Sequence, residues 1–215
     1  VRLRLDVERP PGTAHADALA QADAHADDGR RDRIGVREAH RDRLGAVGVK
    51  RTDPYIGGAR AIHETFEGEP SGADVAEAVA AEGVRGCWII ALGTNDAATI
   101  AAGSNIGAED RIERMMDVIG DQPVMWVDAV SIVAPGDPYA SENMQSWNQT
   151  LLAECSNYPN MRVFDWAGVA KEDWFIDDGT HYTTPGYIAK TNAIAQGLVE
   201  AFPQGLPPAA HCVVQ

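Results

Sequence analysis

The sequence predicts an α/β protein with a parallel β-sheet packed between two layers of helices. A continuous apolar run at residues 87–92 is typical of a strand that is buried on both faces, and Val124–Val127 and Met161–Phe164 are predicted as two further strands. Segments with helical periodicity lie between these strands and after the last one, and such alternation favours a parallel sheet. The length of 215 residues suits one such domain and is short for two.

Four segments have the spacing of apolar residues that one face of a helix requires. They cover residues 74–82, Ala108–Ile119 and 141–155, and a last helix is capped by Thr184 with Pro185 in its first turn. The side chains that we expect to face the core are Ile112, Met115, Met116, Ile119, Met144, Trp147, Leu151, Leu152, Ile188, Ala195, Leu198 and Phe202.

Residues 1–46 differ in composition from the rest of the chain. They contain no Ser, no aromatic residue and nine of the 18 basic residues. Residues 16–27 form a low-complexity run with too few large apolar groups to offset the entropy of ordering, and only residues 1–7 alternate as a half-buried strand does. We therefore predict an atypical N-terminal segment at 1–46, for which a shifted reading frame is one explanation, a domain at 47–203 and a flexible tail at 204–215.

Charge and motifs argue against several classes of function. The net charge of −14 repels phosphate backbones, so we expect no nucleic-acid partner. No apolar run is long enough to span a bilayer, and no signal peptide is visible. The sequence has no glycine-rich nucleotide loop and no set of metal ligands at suitable spacing, so we predict that the protein uses no cofactor.

Polar residues follow the first buried strand and precede the last helix. The first group is G-T-N-D at residues 93–96, and the second is D-G-T-H at residues 178–181. In the β/α order both groups fall at the carboxyl edge of the sheet, where ligands bind in such folds. His181 can act as a base, Asp178 can orient its Nδ1–H, and the Asn95 amide is suited to stabilise an oxyanion.

The motifs L-G-T-N-D at 92–96 and D-D-G-T-H-Y-T-T-P-G-Y at 177–187 resemble the G-x-N-D and D-x-x-H blocks of SGNH (GDSL-like) hydrolases. Each motif is only moderately specific, but both occur in the family's order within a matching β/α pattern. The resemblance extends to I-G-G-A-R at 56–60 and implies a three-layer α/β/α sandwich with a flavodoxin-like strand order. It implies that the base is His181, the orienting carboxylate Asp178 (alternative Asp177), and the oxyanion donors Asn95 and the backbone N–H of Gly58 (alternative Gly57).

The resemblance also implies a function. Members of the family hydrolyse or transfer small acyl esters through a Ser-His-Asp mechanism, and a carbohydrate O-acetyl group is the substrate we expect. Some similar domains are secreted or fused to membrane acyltransferase modules. We therefore expect an extracytoplasmic location and such a module as a partner, while the oligomeric state stays open.

One block of the family is missing from the sequence. The family opens with a strand followed by G-D-S, whose Ser is the nucleophile, but this chain has no Ser before Ser71. Thr13 is the only hydroxyl residue before Val47, and it has no G-D context. We expect the first strand to be missing as well. Ser131, which follows a predicted strand, is a candidate replacement; the alternative function is a non-catalytic domain that has lost its nucleophile.

Three further expectations concern single residues. Asp96 is expected to hold its own loop by local hydrogen bonds. Trp174, near the second motif, is a candidate for contact with substrate. Cys87 and Cys155 both fall near the amino edge of the predicted sheet, and we hypothesise a disulfide between them that would suit an extracytoplasmic protein.

Overall fold

The computed structural model describes residues 2–4, 17–21, 43–49, 51–83 and 85–215. The strands are β1 Arg2–Arg4, β2 Asp17–Gln21, β3 Arg51–Gly57, β4 Cys87–Ala91, β5 Val124–Val127, β6 Met161–Phe164 and β7 Val213–Val214. The helices are α1 Gly72–Ala81, α2 Thr94–Ala101, α3 Ala108–Ile119, α4 Ser141–Glu154, α5 Trp166–Val169 and α6 Thr184–Ala201, with a helical turn at 43–46.

The strands form one sheet with a parallel centre. Six strands are parallel in the order β3-β2-β4-β5-β6-β7, and β1 pairs antiparallel with β3 and β4. If β2 is counted as strand 1, the first five of these strands have the flavodoxin-like order 2-1-3-4-5, and β7 is added at the far edge. The predicted fold class is confirmed.

Helices cover both faces of this sheet. Trp88 and Ile90 point into an apolar cluster with helices α1 to α4, whereas Cys87 and Ile89 point into a second cluster with α6. The alternation follows from the two-residue period of a strand, and it gives the predicted three layers. No helix in the described part of the chain is both long and apolar enough to cross a membrane.

Most of the predicted core-facing side chains are buried, including the four on α3. Leu152 and Ile188 are exceptions, because each remains 43% exposed on the outer side of its helix. The cap of α6 is also one residue earlier than predicted. Thr183, not Thr184, accepts a hydrogen bond from the Gly186 N–H through its hydroxyl, at 3.2 Å.

The expectation that the first strand is missing is wrong. Strand β2 lies between β3 and β4, with Gln21 level with Gly57 and Ala20 level with both Ile56 and Ala91. The low-complexity composition of this segment does not prevent pairing, because a central strand gains backbone hydrogen bonds on both sides. The short strand β1 agrees with the alternation at the start of the chain.

The tail predicted to be flexible pairs with the sheet, and it supplies one cysteine of the disulfide. Strand β7 pairs with β6, and the Arg162 Nε donates to the Ala209 carbonyl at 2.7 Å. The tail thereby brings Cys212 to Cys155, and these two residues form the disulfide, with a Cα separation of 6.2 Å. The hypothesised bridge between Cys87 and Cys155 is wrong because the two side chains belong to the apolar clusters on opposite faces of the sheet.

We expect the Cys155–Cys212 bridge to stabilise the domain by about 2–4 kcal/mol, the usual range for a disulfide that closes a long loop. Urea unfolding with and without reductant measures this difference. In Cys212→Ala the reductant should have no effect on the midpoint, which makes this variant the control. Peptide mapping without reduction that finds Cys212 as a thiol in oxidised protein would contradict the assignment.

Candidate active site

The first motif sits at the carboxyl end of β4, where helix α2 begins. Gly93 is the N-cap of α2 with φ 136°, a conformation that L side chains rarely adopt. A Cβ at this position would lie 2.3 Å from the Trp147 Nε1, so the close approach of the indole also requires glycine. Asn95 follows in the first turn and is only 5% exposed.

Contacts on both sides of its amide hold Asn95 in place. Its Nδ2 donates to the Arg60 carbonyl at 3.3 Å, and its Oδ1 accepts from the Tyr139 hydroxyl at 2.9 Å. The contact with Arg60 places the turn after β3 beside Asn95. A Cβ on Gly57 would lie 2.4 Å from the Arg60 guanidinium carbon, so this side chain packs against Gly57. The role of Gly58, or of Gly57, as an oxyanion donor stays a prediction.

Asp96 acts over a longer range than expected. Its Oδ1 accepts from the Ile62 N–H and from the Arg111 Nη1, both at 2.8 Å. Arg111 has a fully buried side chain that also binds Glu64 and Ser104. Burial raises the pKa of Asp96 to about 6, although the Ile62 N–H and Arg111 act in the opposite direction. The carboxylate thus joins the segment after β3 to α2 and α3, and the expected local bonding is wrong.

Replacing Arg111 should strongly destabilise the fold. We expect Arg111→Met to lower the free energy of unfolding by about 3–5 kcal/mol, because it leaves the Asp96 carboxylate buried without its cation. Arg114→Met on the same helix is the control, since Arg114 is 35% exposed and exposed ion pairs contribute about 0–1 kcal/mol. Urea unfolding compares the two. Equal losses of stability in the two variants would contradict the role of the buried charge.

The second motif folds into a turn that places its carboxylate on its imidazole. The Asp178 Oδ2 lies 2.5 Å from the His181 Nδ1, and its Oδ1 accepts from the backbone N–H groups of Thr180 and His181. Burial raises the pKa of Asp178, but the two N–H groups and the imidazole lower it further, so that the pKa falls below its usual value. The contact favours Asp178 over Asp177 as the orienting carboxylate.

Aromatic side chains pack around the turn that carries Asp178 and His181. The Trp166 Nε1 donates to the Tyr182 hydroxyl at 2.7 Å, which anchors the residue after His181. Trp174 stacks on Trp166 at 5.7 Å, and its carbonyl accepts from the Thr183 N–H. Trp174 therefore has a packing role in the turn, and contact with substrate stays a prediction.

The loop after β5 joins the two motifs. At one end the Ile132 N–H donates to the Gly179 carbonyl at 2.8 Å, and at the other the Tyr139 hydroxyl reaches Asn95. Both motifs therefore lie at the same edge of the sheet. The Ser131 hydroxyl donates to the Tyr139 carbonyl at 2.6 Å, and the residue is 4% exposed. Ser131 thus closes the loop, which argues against it as the nucleophile.

In the family that the sequence resembles, the G-D-S block directly follows the first strand of the fold, which corresponds in order to β2. Because Gln21 is level with Gly57, β2 ends at the edge that holds both motifs. The next three residues in the sequence, which lie outside the described residues, are Ala22, Asp23 and Ala24. They match G-D-S in the central Asp but lack the Gly and the hydroxyl. Sequence reasoning missed this triplet because it did not predict β2; Gly and Ser at its ends would have revealed the block.

The described residues contain no group of three or more His, Cys, Asp or Glu side chains that could hold a metal ion. The groups that the structure describes at this edge are an acid–base pair, an amide donor and backbone N–H groups.

Solved structures with a similar fold include a lipase/acylhydrolase and two esterases. A lipase/acylhydrolase from Enterococcus faecalis is 13% identical with a TM-score of 0.64, over 89% of this chain and 100% of that one. A carbohydrate acetylesterase from Sinorhizobium meliloti is 15% identical with a TM-score of 0.59, over 86% and 100%. An aryl esterase from M. smegmatis is 15% identical with a TM-score of 0.59, over 84% and 97%. No family model and no curated protein matches the sequence. The fold is that of the SGNH-type hydrolases, and the chemistry has to be argued from the site.

Proposed function

We propose that this domain has the acid–base pair and oxyanion donors of an ester hydrolase of the SGNH type, and that it cleaves a small acyl ester when a serine follows β2. The observation that carries the proposal is the 2.5 Å contact between the His181 Nδ1 and the Asp178 Oδ2. A carboxylate on Nδ1 fixes the tautomer of the imidazole, so that Nε2 can take a proton from a hydroxyl and return it to the leaving group. The proteins that share the fold include two esterases and an acylhydrolase, which supports the same chemistry.

In the proposed reaction a hydroxyl at the end of β2 attacks the ester carbonyl while His181 accepts its proton. The oxyanion receives hydrogen bonds from the Asn95 Nδ2 and the Gly58 N–H. Collapse of this intermediate breaks the ester bond, and the departing alkoxide takes the proton from His181. Water then attacks the acyl-enzyme in the same way and releases the acid; a second alcohol in place of water would complete an acyl transfer.

This path requires a serine directly after β2, where the chain has Ala22, Asp23 and Ala24. The substitutions Ala22→Gly and Ala24→Ser would convert the triplet after β2 into the family's block, since Asp23 is already present. We call the full chain with these two substitutions the restored variant.

We further propose a carbohydrate O-acetyl ester as substrate, a membrane acyltransferase as a cooperating partner and an extracytoplasmic location. The acetylesterase from S. meliloti supports the first of these by analogy of fold. The Cys155–Cys212 bridge supports the third, because disulfides persist mainly in oxidising compartments.

The second candidate function is a non-catalytic domain that binds an acylated ligand. It is favoured by the alanine at position 24, which leaves the acid–base pair without a serine in this block. Hydrolysis of p-nitrophenyl acetate by the restored variant, together with covalent labelling by a serine-directed phosphonate, tests the proposal. Turnover and labelling that both depend on Ala24→Ser support the esterase. A restored variant that binds acetylated sugar but neither turns over nor is labelled supports the binding domain.

A further inference from the structure

The amide of Asn95 has two neighbours that decide which way it faces. The Arg60 carbonyl can only accept a hydrogen bond, so it requires the Nδ2 on its side. The Tyr139 hydroxyl donates to the Oδ1 from the other side. With one N–H of Nδ2 on Arg60, the second N–H is the one that remains for an oxyanion.

We propose that Tyr139 is a positioning residue, which orients the oxyanion donor Asn95 through its hydroxyl. The inference rests on the proposed function and extends it to a residue that neither sequence motif contains. Hydrogen bonding of the phenol to Oδ1 fixes the amide plane and draws electron density from the nitrogen, which strengthens the remaining N–H as a donor.

Tyr139 is itself held firmly enough for this task. Its backbone N–H donates to the Asp137 Oδ1 at 2.8 Å, and its carbonyl accepts from the Ser131 hydroxyl. The ring packs against the apolar cluster on the face of helices α1 to α4. The same loop contacts Gly179 through the Ile132 N–H, so a displacement of Tyr139 would affect both the Asn95 motif and the His181 motif.

The kinetic test uses the restored variant as the starting protein. Removal of one oxyanion donor costs about 10²–10³ in kcat, which is the loss we expect for Asn95→Ala. Tyr139→Phe leaves the donor present but unoriented, so we expect a smaller loss, on the order of tenfold to a hundredfold in kcat, with KM unchanged. Tyr158→Phe removes a phenol before β6, at the other end of the sheet, and should leave kcat unaltered.

A double variant separates positioning from a general loss of structure. Because Tyr139 acts through Asn95, adding Tyr139→Phe to Asn95→Ala should cost nothing further in kcat. Full additivity of the two losses, or an unchanged kcat in Tyr139→Phe alone, would overturn the proposal.

A measurement on the unaltered chain keeps this inference separate from the proposed function. Asn95 is buried, so its side-chain amide should give slowly exchanging proton signals in ¹⁵N-labelled protein. Tyr139→Phe should shift these signals and speed their exchange with solvent, and Tyr158→Phe should not. An inactive restored variant with this amide response would reject the esterase and retain the role of Tyr139. An Asn95 amide that is insensitive to Tyr139→Phe would reject that role whatever the activity.

Discussion

The restored variant should hydrolyse p-nitrophenyl acetate at least about 10³-fold faster than the unaltered chain. Removal of the serine nucleophile from a serine protease costs about 10⁶ in kcat, and an installed serine recovers part of that factor. The physical reason is that the covalent path divides one difficult step into two easier ones, each assisted by the same base. The unaltered chain should not exceed the rate in buffer by a measurable amount.

Single substitutions separate the contributions of the triplet. Ala24→Ser alone should give part of the gain, because it supplies the hydroxyl that attacks the ester. Ala22→Gly alone should give none, and it serves as the matched control. A restored variant as slow as the unaltered chain would contradict the position of the nucleophile. Phosphonate-sensitive turnover by the unaltered chain would also contradict it, and would make Ser131 the next residue to replace.

The parts of the fold that could be predicted are those where burial dictates the sequence. The bounds of Val124–Val127 and Met161–Phe164 were predicted to the residue, because strands covered on both faces are mostly apolar, and Arg162 is the one polar residue in these two strands. The bounds of Ala108–Ile119 were likewise correct, since one apolar stripe and a terminal glycine define a surface helix.

The parts that could not be predicted depend on contacts made far along the chain. Strand β2, Asp17–Gln21, has no large aliphatic run, and β7, Val213–Val214, has only two residues. Both strands depend on backbone pairing with neighbours that sequence periodicity does not reveal. The disulfide was missed for the same reason, because Cys212 reaches Cys155 only when β7 has docked.

In the candidate site, too, the local pair could be predicted from the sequence, and the partners far along the chain could not. Asp178 and His181 are three residues apart, so a local motif contains the whole pair. Tyr139 and Arg111 lie 44 and 15 residues from their partners in the first motif, and one sequence offers no periodic signal for such pairs.

The unusual composition of residues 1–46 still agrees with the hypothesis of a shifted reading frame, and sequencing of the encoding DNA would test it.

The second large effect concerns the acid–base pair in the restored variant. His181→Ala should return kcat to the level of the unaltered chain, because the serine has no base without it. Asp178→Asn should remove most of the gain as well, since loss of the orienting carboxylate costs about 10⁴ in a serine protease. Asp177→Asn is the matched control; its carboxylate is exposed and adjacent, and we expect kcat to change little.

The pH dependence of this pair has a definite sign. The folded-state pKa of Asp178 is lowered, so the carboxylate stabilises the fold above its unfolded pKa of about 3.9, and this contribution is lost as pH falls through the lower folded value. Asp178 should therefore stay ionised throughout an assay from about pH 5 to 9. If kcat declines within that range, the group that titrates is not Asp178. The same decline should persist in Asp177→Asn. Near-normal turnover in His181→Ala, or equal losses in Asp177→Asn and Asp178→Asn, would show that this pair is not the catalytic base and its orienting carboxylate.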